Sequence, residues 1–151
     1  MPYSPTALAT EPKSTYLSDP SVASLLRLPN PARAKLGSDA ISIARKIISF
    51  LKLDKNDVIL EIGPGDGALT DKMHEKVHHI HAVEIDPLLI THLTEKAYSN
   101  VNLYGADILK WNFSILPDGI KIIGNLPYYI STPILFRLLI IPGWQKMVLM
   151  F

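Results

Sequence analysis

The sequence predicts an α/β protein in which a parallel β-sheet carries helices on both faces. Short apolar, β-branched runs alternate with segments of helical periodicity, and the connections between them are short. Such alternation requires parallel strands joined by right-handed crossovers. Glycines and polar side chains follow the apolar runs directly, and ligands of these folds bind at the carboxyl ends of the strands. The candidate functional residues should therefore come directly after each strand.

Length and composition limit the possible classes of protein. The chain has 151 residues, of which 48% are hydrophobic and 19% charged, so it forms one domain at most with a sizeable core. Its net charge of +1 gives no overall basic field for nucleic acid. Because cysteine is absent, disulfides, thiolate metal sites and thiol nucleophiles are excluded. No apolar run reaches the roughly 18 residues that a membrane-spanning helix needs.

The first 31 residues differ in composition from the rest of the chain. They contain six of the twelve prolines, set among serine, threonine and alanine. Residues 1–31 are therefore predicted to be a disordered tail, and residues 32–151 to form the domain. The tail is rich in serine and poor in acidic residues, so a mitochondrial location stays open beside the cytoplasmic one.

The first half of the domain shows two strands and three helices. Ser38 or Asp39 can cap a helix whose apolar face ends at Leu51. A strand at 58–62 is followed by a glycine-rich turn and a helix at 68–76. A second strand at 78–85 leads to a helix at 87–97, which Pro87 starts at its first position.

The second half contains three more strands and one helix. A strand at 101–104 is followed by an irregular stretch at 108–118 and a fourth strand at 121–124. The helical pattern resumes at Pro133 and continues to residue 140, and a fifth strand covers 146–151. Residues 125–132 are therefore predicted to form a loop between the fourth strand and this helix.

A glycine loop follows the first strand, in the sequence Glu61-Ile62-Gly63-Pro64-Gly65-Asp66-Gly67. Glycines allow a tight turn and a close approach of the backbone to a ligand. The next helix presents free N–H groups to a carboxylate or phosphate. Because Gly63, Gly65 and Ala68 also satisfy the loose dinucleotide fingerprint, this loop does not distinguish a dinucleotide from S-adenosylmethionine.

Carboxylates follow the next two strands. Glu84 lies about 20 positions beyond the glycine loop, where an acidic residue accepts hydrogen bonds from ribose hydroxyls. Asp86, directly before Pro87, is interpreted as the cap of the following helix. Asp107 follows the third strand and could accept a hydrogen bond from an adenine amino group.

The fourth strand ends in Asn125-Leu126-Pro127-Tyr128-Tyr129-Ile130-Ser131-Thr132-Pro133. This stretch offers an amide side chain, backbone carbonyls and an aromatic face at the carboxyl edge of the sheet. Those groups suit a flat base with an exocyclic amine. Tyr129 could contact the base or pack beneath the loop.

Taken together, these four motifs resemble the ribosomal RNA adenine N6,N6-dimethyltransferases, which modify two adjacent adenosines of small-subunit rRNA. The resemblance covers residues 33–151. It implies a Rossmann-like methyltransferase sheet, S-adenosylmethionine as cofactor, and small-subunit rRNA or the immature small subunit as partner. It also implies a monomeric protein with no membrane association.

The resemblance also implies roles for individual residues. Those assigned to S-adenosylmethionine are Gly37, Glu61, Gly63, Gly65, Glu84, Ile85, Asp107, Ile108 and Asn125. Among them, Glu84 binds the ribose, Asp107 the adenine amine, and Ile85 and Ile108 flank the adenine. Catalysis is assigned to Asn125, Leu126, Pro127 and Tyr128. Asn125 and the carbonyl of Leu126 or Pro127 accept hydrogen bonds from the target amine, while Tyr128 stacks on the flipped base.

Two departures from the family pattern are expected to weaken the activity. Lys35-Leu36-Gly37 is followed by Ser38-Asp39, where the family has a Gln-Asn/His-Phe-Leu segment that closes over the cofactor. The last two strands and the small helical domain of the family have no counterpart before Phe151. The 151-residue chain is therefore expected to be weakly stable and poorly active.

Two other functions stay open on the sequence. An NAD-dependent oxidoreductase fits the glycine loop and Glu84, although Asn-Leu-Pro-Tyr has no role in hydride transfer. A non-catalytic RNA-binding or ribosome-assembly protein could keep the fold without the chemistry. No metal site is predicted, because His78, His79 and His81 lie along a strand without a carboxylate pair to complete a site.

Overall fold

The structure, a computed structural model, describes residues 42–150. The predicted tail at 1–31, Gly37 and the proposed caps Ser38 and Asp39 lie outside this range. Five parallel strands form one sheet in the order β3-β2-β1-β4-β5. Their bounds are β1 Val58–Ile62, β2 His79–Glu84, β3 Val101–Gly105, β4 Lys121–Asn125 and β5 Lys146–Met150. The predicted parallel sheet is confirmed.

Four helices accompany this sheet within the described range. They are α1 at residues 42–51, α2 Thr70–Met73, α3 Pro87–Glu95 and α4 Tyr128–Leu139. Short 3-10 turns cover His74–Lys76 and Phe113–Ile115. None of the helices in residues 42–150 is long and apolar enough to cross a bilayer.

The strands bury side chains on both faces, as a parallel sheet between helices must. On one face Ile59 and Ile80 pack with Leu51 of α1 and Met73 of α2. On the other face Leu60, Ile122 and Trp111 pack with Ile134 and Leu138 of α4. Neighbouring residues such as Ile59 and Leu60 serve opposite faces because side chains alternate along a strand. Helices therefore cover both faces, as predicted.

A buried ion pair holds the amino edge of the sheet. Lys121 Nζ lies 2.6 Å from Asp57 Oδ2 and donates a second hydrogen bond to the carbonyl of Lys52 at 2.8 Å. This pair connects the end of α1 to the starts of β1 and β4. The carboxyl edge, where the candidate site lies, contains no part of it.

The helix after the glycine loop is shorter than the predicted 68–76. Residues 67–69 form turns, and the α-helix covers only Thr70–Met73 before a 3-10 turn. Gly67 has a φ of +91°, and the Asp66 side chain accepts a hydrogen bond from the N–H of Ala68. This local bond competes with helical hydrogen bonding, so the helix starts late.

The predicted start of the last helix at Pro133 is wrong. The helix begins at Tyr128, and Pro133 lies inside it. Pro127 precedes the helix with φ −61° and ψ 132°, and its carbonyl accepts the N–H of Ile130 at 3.1 Å. Ile134 and Leu138 of the same helix are buried against the sheet, and this packing stabilises a helix that contains a proline. The loop after β4 is therefore reduced to two residues.

Asp86 caps α3, as predicted. Its Oδ1 accepts a hydrogen bond from the N–H of Leu88 at 2.8 Å. We expect Asp86→Ala to lower the free energy of unfolding by about 1 kcal/mol, because one N–H at the helix start loses its acceptor. Urea denaturation measures this. Glu95→Ala, at an exposed position of the same helix, is the control, and an equal loss in both variants would contradict the capping role.

Candidate active site

The carboxyl ends of four strands place the predicted motifs side by side. Ile62 of β1 pairs with Val83 of β2 and with Gly124 of β4, and Glu84 pairs with Gly105 of β3. Across this edge the order is therefore Asp107, Glu84, the glycine loop and Asn125. The structure brings together motifs that are up to about 60 residues apart in the sequence.

The glycine loop is open at Gly65 and lies next to the end of β4 at Gly63. Gly63 and Gly65 have φ values of +64° and +62°, which side-chain-bearing residues rarely adopt. A Cβ added at Gly65 would have no heavy atom within 4 Å, whereas one at Gly63 would lie 3.5 Å from the Asn125 carbonyl oxygen. On the side where a Cβ would lie, a ligand can therefore approach the Gly65 backbone closely.

Glu84 connects the end of β2 to this loop. Its Oε1 accepts hydrogen bonds from the N–H groups of Ile85 at 2.8 Å and Asp86 at 2.9 Å. Its Oε2 accepts a longer one, of 3.2 Å, from Gly65. The residue is only 6% exposed. Because three backbone groups hold the carboxylate, its position beside the loop is well defined.

Three other residues assigned to the adenine differ in exposure. The side chain of Ile85 is 68% exposed, and Asp107 is half-buried with its Oδ1 accepting the N–H of Leu109 at 2.9 Å. Ile108, in contrast, is 7% exposed and packs in the core beside α4. Ile85 and Asp107 thus lie at the edge, while most of the Ile108 side chain is occupied in packing.

Asn125 ends β4 and has an exposed side chain. It pairs with Met150 of β5, whose carbonyl accepts the N–H of Leu126 at 2.9 Å. The Leu126 side chain is 5% exposed and anchors the turn in the core. Pro127 follows with its carbonyl bonded to Ile130, and Tyr128 is the first residue of α4. The polar end of Asn125 is thus presented on a fixed backbone.

Glu61 lies beneath the glycine loop, fully buried. Thr70 Oγ1 donates a hydrogen bond to its Oε2 at 2.7 Å, and Oε1 has no partner. Burial raises the pKa of Glu61 to about 7; the Thr70 hydrogen bond opposes this rise, and the carboxylates of Asp71 and Glu84 add to it. Glu61 therefore connects β1 to α2, which precede and follow the glycine loop, inside the protein.

The raised pKa makes stability depend on pH. The folded protein holds the Glu61 proton up to about pH 7, whereas an unfolded chain releases it near 4.5. We expect the free energy of unfolding to decrease as the pH rises from about 4.5 to about 7, by at most about 1.4 kcal/mol per pH unit. Glu61→Gln should lose this pH dependence. Urea denaturation across that range measures it. Glu75→Gln, at an exposed site, should keep the wild-type slope, and an unchanged slope in Glu61→Gln would contradict the assignment.

Sequence reasoning missed several residues around the loop. Thr70 is nine positions from Glu61, and Asp71 contacts Lys96 and Tyr98, which are 25 and 27 positions further along. No local pattern signals such contacts. The first contact forms when α2 packs on β1, and the other two form when the end of α3 comes close to α2.

The histidines pack against aromatic neighbours. His79 and His81 lie on one face of β2 with ring centroids 4.8 Å apart, and His81 Nδ1 is 3.0 Å from the Tyr104 hydroxyl. Burial, followed by the charge of a neighbouring histidine, lowers the pKa of both rings. In the part of the chain from 42 to 150, no three potential ligands lie close enough to hold a metal.

The strand order, the glycine loop and the carboxylates after β2 and β3 define a Rossmann-like methyltransferase fold. Two of the solved structures that share this fold are at least 31% identical to the chain. One is the 23S rRNA methyltransferase ErmE, 31% identical with a TM-score of 0.63, over 72% of this chain and 45% of that one. The other is a dimethyladenosine transferase from Plasmodium falciparum, 32% identical with a TM-score of 0.65, over 72% and 40%.

The chain belongs to the ribosomal RNA adenine dimethylase family, whose profile matches residues 39–151. Proteins named Ribosomal RNA small subunit methyltransferase A are similar to it. That of Aromatoleum aromaticum is 43% identical over 112 residues, which cover 71% of this chain and 42% of the relative. That of Syntrophus aciditrophicus is 44% identical over 105 residues, or 65% and 38%. The chain thus spans less than half the length of these relatives.

Proposed function

We propose that this chain carries the cofactor site and part of the base site of an enzyme that dimethylates N6 of two adjacent adenosines in small-subunit rRNA. The observation that carries the proposal is that the two halves of the site are neighbours at the sheet edge. Ile62 and Gly124 pair in adjacent strands, and the space beside Gly63, where a Cβ would lie, is 3.5 Å from the Asn125 carbonyl oxygen. A methyl donor held by the loop would therefore be next to an amine held by Asn125.

The residues at the edge fit S-adenosylmethionine, which supplies a sulfonium-bound methyl group for attack. The open backbone at Gly65 accommodates the methionine part, and Glu84 accepts hydrogen bonds from the ribose. Asp107 accepts the adenine amine, and the exposed side chain of Ile85 covers one face of the adenine. The buried side chain of Ile108 would contact the other face of the adenine from the core side. We assign Gly37 to the same site from its motif, although it lies outside the described residues.

The hydrogen bonds of Glu84 indicate how it would take up the ribose. A carboxylate has about four acceptor positions, and three are occupied by backbone N–H groups. Binding two ribose hydroxyls therefore requires one of these bonds to be exchanged. The bond from Gly65 is the longest, so we expect the ligand to replace it and the loop to adjust at Gly65.

The turn after β4 would hold the target amine. We assign the side-chain oxygen of Asn125 and the carbonyl of Leu126 as its two acceptors, because the Pro127 carbonyl already bonds to Ile130. Pro127 sets the direction of the turn, and Tyr128, which comes next, would stack on the flipped base. Stacking on an aromatic side chain contributes about 1–3 kcal/mol per base and offsets the cost of base flipping.

Positioning and hydrogen bonding are sufficient for this chemistry. The lone pair of an adenine amine is delocalised into the ring, so the amine is a weak nucleophile. Two acceptors on its N–H groups favour a pyramidal nitrogen whose lone pair can attack in line. As the nitrogen–carbon bond forms and the carbon–sulfur bond breaks, the nitrogen becomes positive and then loses its proton to water. No strong base is required.

We further propose that the protein acts as a monomer on the immature small ribosomal subunit. The relatives named for the small-subunit modification come from bacteria, which supports a cytoplasmic location. Because Glu61 is fully buried, its role in this scheme is to connect β1 to α2 on either side of the cofactor loop.

Methyl transfer tests the proposal directly. The full chain is incubated with methyl-labelled S-adenosylmethionine and small subunits that lack the modification, and the rRNA nucleosides are identified by mass spectrometry. Labelled N6,N6-dimethyladenosine is the expected product. Cofactor binding without transfer would indicate a non-catalytic relative, and binding of NADH in place of S-adenosylmethionine would contradict the proposal.

A further inference from the structure

We infer that Asp71, Lys96 and Tyr98 form a side-chain cluster, here called the buttress, that holds the glycine loop in position at Gly67. Lys96 and Tyr98 are thereby positioning residues for the cofactor. This effect on the cofactor rests on the proposed function, whereas the effect on the loop itself does not. The buttress lies at the junction of α2 with the end of α3.

Asp71 is the centre of the buttress. Its Oδ2 lies 2.8 Å from Lys96 Nζ, and its Oδ1 accepts a hydrogen bond from the Tyr98 hydroxyl. The N–H of Asp71 donates to the carbonyl of Gly67 at 2.8 Å. The same residue therefore connects the last glycine of the loop to two side chains at the end of α3.

Lys96 and Tyr98 also lie directly against the loop. A Cβ added at Gly67 would be 2.9 Å from Lys96 Nζ, 2.9 Å from the Tyr98 hydroxyl and 3.0 Å from Leu93 Cδ2. Since real Cβ atoms essentially never come so close, these side chains occupy the space behind Gly67. Held by Asp71, they oppose a movement of the loop towards α3.

The charges of the buttress suit this role at neutral pH. Burial of Asp71 acts to raise its pKa, but hydrogen bonds from Lys96 and Tyr98 outweigh this effect and lower the pKa. Burial and the bond to Asp71 raise the pKa of Tyr98 well above its usual value. Asp71 is thus a charged acceptor and Tyr98 a protonated donor. Because the Asp71 side chain is 47% exposed, each contact contributes modestly.

Two elements hold the loop at two different glycines. Glu84, the last residue of β2, accepts the N–H of Gly65, and Lys96, at the carboxyl end of α3, lies beside Gly67. Removing the rear contact should leave the Glu84 contact intact but let Gly67 and Gly65 fluctuate more.

Hydrogen exchange in the full chain without ligand tests the buttress itself. In Tyr98→Phe and Lys96→Met, the amides of Gly65 and Gly67 should exchange about three- to tenfold faster, while amides of β1 and β4 keep the wild-type rate. Lys96→Arg should restore the wild-type rate because it keeps the ion pair. Tyr104→Phe is the matched control, since it removes a phenol hydrogen bond to His81 on the opposite face of the sheet. Unchanged loop exchange, or equally faster exchange throughout the sheet, would overturn the inference.

Calorimetric binding of S-adenosylhomocysteine tests the effect on the cofactor. Tyr98→Phe and Lys96→Met should raise the dissociation constant about three- to tenfold, and Lys96→Arg and Tyr104→Phe should not. Faster loop exchange with unchanged affinity would overturn the positioning role. If the wild-type chain bound no S-adenosylhomocysteine, the proposed function would fail, and the exchange rates would still decide whether the buttress holds the loop.

Discussion

Replacing Asn125 with alanine is expected to lower the rate of methyl transfer to adenosine by about 10²- to 10³-fold, the usual cost of removing one hydrogen-bonding group aimed at the transition state. The exposed side chain of Asn125 supplies one of the two acceptors proposed for the target amine. Its backbone carbonyl, which lies next to the space beside Gly63, is kept in the variant, as is Glu84. The dissociation constant for S-adenosylhomocysteine should therefore change far less than the transfer rate, although Asn125 is also assigned to the cofactor.

Asn102→Ala provides the matched control for this experiment. Asn102 is also an exposed strand residue, in β3, and its amide bonds only weakly to the Tyr104 hydroxyl at 3.4 Å. Single-turnover transfer and calorimetric binding should be measured for both variants. A wild-type transfer rate in Asn125→Ala, or an equal loss in Asn102→Ala, would exclude Asn125 from catalysis.

Glu84→Ala is expected to have the largest combined effect on stability and binding. The substitution removes the acceptor of three backbone N–H groups, from Gly65, Ile85 and Asp86, in a position that is 6% exposed. We expect a loss of about 2–4 kcal/mol in the free energy of unfolding. Binding of S-adenosylhomocysteine should weaken at least about 100-fold, because the ribose loses its charged acceptor and the loop its anchor.

Two further variants separate these effects. Glu84→Gln keeps one side-chain oxygen as an acceptor, so we expect it to recover part of the stability but little of the affinity. Glu95→Ala, which removes an exposed carboxylate from α3, should change neither. Urea denaturation and calorimetry measure the two quantities. Wild-type affinity in Glu84→Gln would show that the ribose does not depend on the charge of Glu84.

Most of the sheet could be predicted from the sequence because the first four strands end at, or directly before, a glycine or a polar residue. β1 and β5 begin where the pattern placed them. The helix starts were less predictable. The Asp66 side chain delays α2, and the packing of Ile134 and Leu138 allows α4 to begin before Pro133. Both errors arise where a specific contact overrides a local preference.

The candidate site was predictable only in part, for a related reason. Residues with a motif at a strand end, such as Glu84 and Asn125, could be found by their position after the strand. Thr70 and Tyr98 could not, because Thr70 meets Glu61 only when α2 packs on β1, and Tyr98 meets Asp71 only when the end of α3 comes close to α2. Contacts of this kind cannot be recognised from the spacing of residues in the sequence.

A crystal structure of the full chain with S-adenosylhomocysteine tests the central claim most directly. The account predicts that the ligand lies across the carboxyl edge of the sheet, with its amino-acid end at Gly65, its ribose on Glu84 and its adenine between Ile85 and Asp107. The sulfur should point towards the turn at Asn125. A ligand bound elsewhere, or bound at this edge with its sulfur directed away from Asn125, would contradict the account.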